Sequence, residues 1–172
     1  MIIVTGVDNT GKSSLVNHLS EVFGIAIAKR YNPLPPVDGE DWYQWAKQQF
    51  ENNNELIYDR FFIDELVYGP ALRDKYVCSI EQMATLSAML VMRQPLFIYT
   101  NLTAEKIREN FNAREQYPTE DKIGLLLMKF NRVMKTWPVG ELNCVTRFNY
   151  TMDPDYKRID CIVKNYLQGG SI

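Results

Sequence analysis

The segment Ile2 to Ser14 limits the fold of this chain more than any other. An uninterrupted apolar run, Ile2-Ile3-Val4-Thr5, passes directly into GVDNTGKSS, Gly6 to Ser14. A short β-branched run with no polar alternation is the pattern of a parallel strand buried on both faces. Leu15, Val16, Leu19, Val22 and Phe23 then recur at helical spacing up to Gly24, a natural helix stop. Between them the sequence fits G-x-x-x-x-G-K-[ST], and the strand-to-helix context is what makes that pattern specific. Gly6 and Gly11 allow a tight turn and close approach of an anion. The backbone N–H groups from about Asn9 through Thr10, Gly11 and Lys12 to Ser13 are expected to face phosphate oxygens, aided by the positive end of the helix. Lys12 would neutralise the terminal phosphates of ATP. Ser13 would offer a hydroxyl to Mg²⁺, with Ser14 a weaker second contact.

The remainder alternates strand and helix signals. Ile25 to Ala28, Leu56 to Asp59, Leu96 to Tyr99 and Asn143 to Phe148 read as further strands. Asp41 to Phe50 reads as a helix rich in aromatics. Ser79 with Gln82 is a capping box opening a helix, and Thr103 starts another. A longer helix follows with Ile123, Leu126, Leu127, Phe130, Val133 and Met134 inward. Asp153-Pro154 reads as the N-cap and first turn of the last helix. Five strands separated by helices imply an α/β chain with a parallel sheet covered on both faces. Such sheets bind ligands at the carboxyl ends of their strands.

The 172 residues read as a single domain, 1–172, and the 46% hydrophobic content suffices for a substantial core. A net charge of −2 without a basic run argues against nucleic acid as a partner. No apolar run reaches the length of a membrane span, which reads as a cytoplasmic chain. The three cysteines, Cys78, Cys144 and Cys161, lack metal-type spacing and read as small buried hydrophobes.

Asp8 is unusual, because an acid inside an anion cradle opposes the loop's purpose. Either it bonds its own turn or it faces the incoming nucleophile or a metal-bound water. G-x-D-x-x-G-K-S-S after a strand, together with LIYDRFFIDELVYG from Leu56 to Gly69, resembles the thymidylate kinase group of P-loop nucleoside monophosphate kinases. NAREQYPTED, from Asn112, resembles that group's arginine-bearing lid. The resemblance spans nearly the whole chain and implies a P-loop NTPase three-layer fold with a five-stranded parallel sheet and a short lid at about 112–120. It implies phosphoryl transfer from ATP–Mg²⁺ to a (deoxy)nucleoside monophosphate, in deoxynucleotide biosynthesis. The compact length is similar to that of phage-encoded members.

By this resemblance Asp59 would hold Mg²⁺ or orient the acceptor, and Arg60 would clamp the acceptor 5′-phosphate. The loop interior carries Asn9 and Thr10 where some relatives have arginine. The charge over the migrating phosphoryl group should then come from Arg114 in the lid, or from Arg108. Trp42, Trp45 and Gln49 would hold the acceptor base, Arg30 and Tyr31 would contact its phosphate or base, and Tyr68 would face the ribose 2′ position. The sequence also departs from the group. Phe61, Phe62, Asp64 and Glu65 replace a hydroxyl-rich part, and Gly69 stands in place of a glutamine. These changes leave the base open. A kinase acting on a hydroxyl, of a deoxynucleoside or of a hydroxymethylated base in DNA, and a non-catalytic nucleotide-binding switch are the competing readings. The aromatic helix and the helix from Ser79 are candidate faces for a homodimer.

Overall fold

The computed structural model describes residues 1–31, 38–52, 54–111, 119–136, 139, 145–152 and 156–169. Its described strands form one parallel sheet. These are β1 (Ile2–Thr5), β2 (Ala26–Ile27), β3 (Leu56–Asp59), β4 (Leu96–Thr100) and β5 (Val145–Phe148). Their order across the sheet is β2-β3-β1-β4-β5. Strand β1 is central, with Val4 in register with Asp59 on one side and Thr5 with Tyr99 on the other. The chain leaves β1 toward β2 on one side and leaves β4 toward β5 on the other, so the connections of these two neighbouring strands diverge. The loop leaving β1 therefore lies between the ends of β3 and β4, at the switch point where such sheets bind ligands.

Helices cover both faces. On one, α1 (Lys12–Phe23) and α7 (Lys157–Leu167) bury Leu15, Val16, Leu19, Ile159 and Val163 against Ile2, Val4, Ile57, Leu96 and Ile98. On the other lie α2 (Gly39–Glu51), α3 (Phe62–Leu72), α4 (Ile80–Arg93), α5 (Ala104–Glu109) and α6 (Ile123–Val133). They enclose a core with Ile3, Tyr58, Phe97 and Tyr99 of the sheet. Neighbouring strand residues thus face opposite layers, and this is why β1, β3 and β4 read as continuous apolar runs.

The end signals act as their chemistry dictates. Gly24 is left-handed at φ 66° and its N–H reaches Ser20 O at 2.9 Å. Ser79 and Gln82 exchange reciprocal side-chain to backbone bonds of 3.2 and 2.9 Å. Lys106 N donates to Thr103 Oγ1 at 3.3 Å.

Several readings need correction. Strand β2 keeps only Ala26 and Ile27, an edge pair in which both residues are exposed. Val22 is exposed, so the buried stripe of α1 ends earlier than expected. Cys161 is exposed and Cys78 half-buried, so neither is a fully buried small hydrophobe. Helix α3 was not anticipated as an element. Nine of its eleven residues are buried, so it has no polar face and no amphipathic period to read. Asp153-Pro154 lies outside the described residues, and α7 is described from Lys157. Among the described residues, no helix is long and apolar enough to cross a membrane.

Candidate active site

The phosphate loop is anchored on the end of β4. Gly6 has φ 142°, and a Cβ there would lie 2.5 Å from Thr100 O and collide with the Thr100 hydroxyl. Only glycine fits. The hydroxyls of Thr10 and Thr100 lie 2.6 Å apart, with Val7 O 2.7 Å from Thr10 Oγ1 and Thr5 O 3.1 Å from Thr100 Oγ1, so two hydroxyl protons serve a chain of three contacts. Gly11, at φ 83°, caps α1 and lies against Tyr150, whose ring would sit 3.0 Å from an added Cβ. Lys12 is buried and donates to Val7 O at 2.6 Å. Burial pushes its pKa down to about 8, helped by Arg60 and opposed by Asp8, Asp64 and Asp59. Ser13 and Ser14 stand exposed at the mouth of the loop.

Around Lys12, alternating charges converge from three elements. Arg60, with φ 68°, follows β3 and pairs with Asp8 of the loop, and its guanidinium lies 5.0 Å from the centroid of the Tyr68 ring. Tyr68, from α3, donates to the other Asp8 oxygen at 2.6 Å. Burial acts to raise the Asp8 pKa. Arg60, Lys12 and the Tyr68 hydrogen bond outweigh it and hold the carboxyl below the ordinary range. Asp8 is therefore tied to other elements rather than to its own turn.

Asp59 is buried at the end of β3. Its Oδ2 accepts from Ser13 Oγ at 3.1 Å and pairs with Arg30. Its Oδ1 is buried with no hydrogen-bond partner. An orphaned carboxylate oxygen beside a serine hydroxyl is a hard-oxygen set that fits Mg²⁺.

Asp64 was noticed in the sequence only as a departure. It is buried, accepts from Thr5 Oγ1 and from Phe61 N, each at 3.0 Å, and leaves Oδ1 unpartnered. It ties the end of β1 to the left-handed corner that carries Arg60. Burial pushes its pKa up to about 6, against the pull of Arg60 and Lys12. Glu65 pairs with Arg73 and accepts from Val77 N at 2.9 Å. A Cβ at Gly69 would lie 2.5 Å from Glu65 Oε1 and 2.8 Å from Lys75 O. This packing leaves no room for a side chain at Gly69.

The base-binding candidates separate. Trp42 is 4% exposed and packs on Phe62, ring centroids 6.5 Å apart, so it belongs to the core. Trp45 is half-buried and edges onto Tyr31 at 5.6 Å and Phe61 at 5.5 Å. The rings of Tyr31, Trp45 and Phe61 thus form a chain ending at the neighbour of Arg60. Gln49 lies toward Tyr58, whose hydroxyl is 3.4 Å from its Oε1. Arg108 is exposed and pairs with Glu120 at 3.5 Å. Arg114 and positions 112–118 of the expected lid lie outside the described residues. Asn110 and Tyr150 were missed. Asn110 donates to both Asn9 O and the Tyr150 hydroxyl, and nothing in the sequence links these three distant residues.

No family model and no curated protein sequence matches the chain. Solved structures do match in shape. The YorR protein of Bacillus subtilis, in complex with phosphorylated GDP, superposes with a TM-score of 0.73 at 18% identity, covering 97% of each chain. Deoxyadenosine kinase from M. mycoides, with the products dCMP and dCDP bound, gives 0.61 at 16% identity over 98% of each chain. Thymidylate kinase from Candida albicans gives 0.63 at 15% identity, over 96% of this chain and 91% of that one. The chain has the P-loop kinase-like α/β fold of these structures.

Proposed function

We propose that the chain is an ATP-dependent (deoxy)nucleoside monophosphate kinase of the thymidylate kinase-like group, acting on a pyrimidine deoxynucleotide such as dTMP or a modified relative. The observation that carries this reading is the meeting of Arg60 with Asp8. It sets an arginine fork against the phosphate loop, where an acceptor phosphate would meet a donor. Two of the matching structures, a deoxyadenosine kinase and a thymidylate kinase, support kinase-type phosphoryl transfer to a nucleoside or nucleotide, and of the two only the thymidylate kinase supports a monophosphate acceptor.

In this mechanism the loop N–H groups and Lys12 bind the donor phosphates. Ser13 and Asp59 would hold Mg²⁺, which supplies neutralisation of phosphate charge. Arg60 and Arg30 receive the acceptor phosphate, exchanging their carboxylate partners for it. Tyr31 and Trp45 receive the acceptor base, with Gln49 near its edge, and Tyr68 fixes Asp8 beside the sugar. Arg114 closes over the migrating group as part of a lid. An acceptor phosphate is already an anion, so catalysis is positioning and charge compensation without a general base.

The competing hydroxyl acceptor would need such a base. Of the two candidates, Asp8 is held below the ordinary carboxylate range by Arg60, Lys12 and Tyr68, which makes it a weak base, and Asp59 is already engaged by Ser13 and Arg30. This favours the monophosphate. The reading carries with it a single 172-residue domain, a cytoplasmic location, and homodimer formation through α2 or α4. The test is a panel of nucleosides and nucleoside monophosphates incubated with ATP–Mg²⁺, with products read by mass. Diphosphates formed from monophosphates support the proposal. Monophosphates formed from nucleosides, or no transfer to any acceptor, would sink it.

A further inference from the structure

Asn110 closes helix α5 at a point 101 residues from Asn9. Its Nδ2 lies 3.0 Å from Asn9 O and 2.6 Å from the Tyr150 hydroxyl oxygen. A carbonyl oxygen can only accept, so the amide nitrogen must face Asn9 and the orientation of the amide is fixed. Both of its hydrogens are then used, one on the phosphate loop and one on the residue whose ring packs on Gly11. Asn9 itself is left-handed at φ 61°, a conformation that asparagine tolerates better than most non-glycine residues.

The consequence follows from peptide geometry. The bond between Asn9 and Thr10 is planar and trans, so its C=O and N–H point in opposite directions. With Asn9 O held toward Asn110, the Thr10 N–H is turned the other way. Tyr150 steadies the next residue, because its ring bears on Gly11. The stretch Asn9 to Gly11 is therefore gripped from outside at two points.

We propose that Asn110 is a positioning residue that presets the phosphate loop, holding the Asn9–Thr10 peptide so that its N–H faces the donor phosphates. This rests on the nucleotide-binding reading of the loop.

The test is calorimetric titration of ADP into the full chain, alongside Michaelis constants for ATP and for the acceptor. Asn110→Ala should weaken ADP about three- to tenfold, through the loss of the hydrogen bond that holds Asn9 O. Asn110→Asp, which sets an acceptor against Asn9 O, should weaken it further. Both should raise the KM for ATP and leave the acceptor KM and the melting temperature near those of the unaltered chain. A general loosening of the fold would raise both constants and lower the melting temperature together, and that pattern overturns the proposal. So does unchanged ADP affinity in both variants, with the loop still a nucleotide site. If the unaltered chain and Lys12→Ala bind ADP alike or not at all, the kinase reading fails, and this one with it. Tyr150→Phe keeps the ring on Gly11 and the Asn9 bond. Its ADP affinity should stay within about twofold, and a loss as large as that of Asn110→Ala would count against the assignment to Asn110.

Discussion

Asp8 and Arg60 form an ion pair that joins the phosphate loop to the left-handed corner after β3, 52 residues away. The arginine that best fits an acceptor phosphate is thus already partnered, and an incoming anion must compete with Asp8 for it. Arg60→Ala should raise the acceptor KM far more than the ATP KM. Arg60→Lys should recover little, because an ammonium cannot reproduce the planar fork. Equal rises in both constants in steady-state assays would remove Arg60 from acceptor binding.

Lys12 is buried yet bonds only to a loop carbonyl among the contacts described. Lys12→Ala should abolish phosphoryl transfer while the circular dichroism spectrum and melting transition persist. Retained turnover with ATP would dismiss the phosphate-loop assignment.

Arg108 is exposed and its pair with Glu120 is a surface one of small worth to stability, so Arg108→Ala should leave the fold intact and lower turnover less than Arg114→Ala. Arg114→Ala should lower kcat by about 10³-fold or more, with little change in ATP binding. The reverse ranking in single-turnover kinetics would reassign the transferring-group arginine.

Trp42 and Trp45 should separate stability from recognition. Trp42→Ala removes a core ring and should cost about 3–5 kcal/mol in urea unfolding. Trp45→Ala should cost less stability and raise the acceptor KM. Identical profiles for the two variants would contradict the division of roles along α2.

Asp64 gives a pH dependence with a definite sign. Its carboxyl is raised from an ordinary 3.8 to about 6 in the folded chain, chiefly by burial. The folded state then binds the proton more tightly than the unfolded state. The contribution of this group to stability is greatest below pH 4 and is lost as pH rises through 6. Asp64→Asn keeps an acceptor for Thr5 and Phe61 but cannot titrate. The stability difference, unaltered chain minus Asp64→Asn, should fall between pH 4 and 6 in urea titrations. A flat difference would mean that Asp64 titrates normally.

The legible parts of this chain were local. Strand β1, the caps at Gly24, Ser79 and Thr103, and the glycine turns each depend on a few adjacent residues, and backbone sterics or one nearby hydrogen bond decides them. Helix α3 escaped because burial on all sides erases the periodicity that reveals a helix. Trp42 and Trp45 looked equivalent because both are large aromatics on one helix. Tertiary packing separates them: Trp42 is buried on Phe62, whereas Trp45 is half-buried against Tyr31 and Phe61.

The sequence by itself determined the strand–loop–helix unit, the succession of the five strands, and the presence of Lys12, Asp59 and Arg60 where a phosphate-handling site would need them. Tertiary structure alone decided which charges meet. It pairs Asp8 with Arg60 and Arg30 with Asp59, and it joins Asn110 to Asn9. Such contacts depend on strand order and helix docking, which bring together ends of strands and helices far apart in the chain. Their strength depends on burial, which local sequence does not encode.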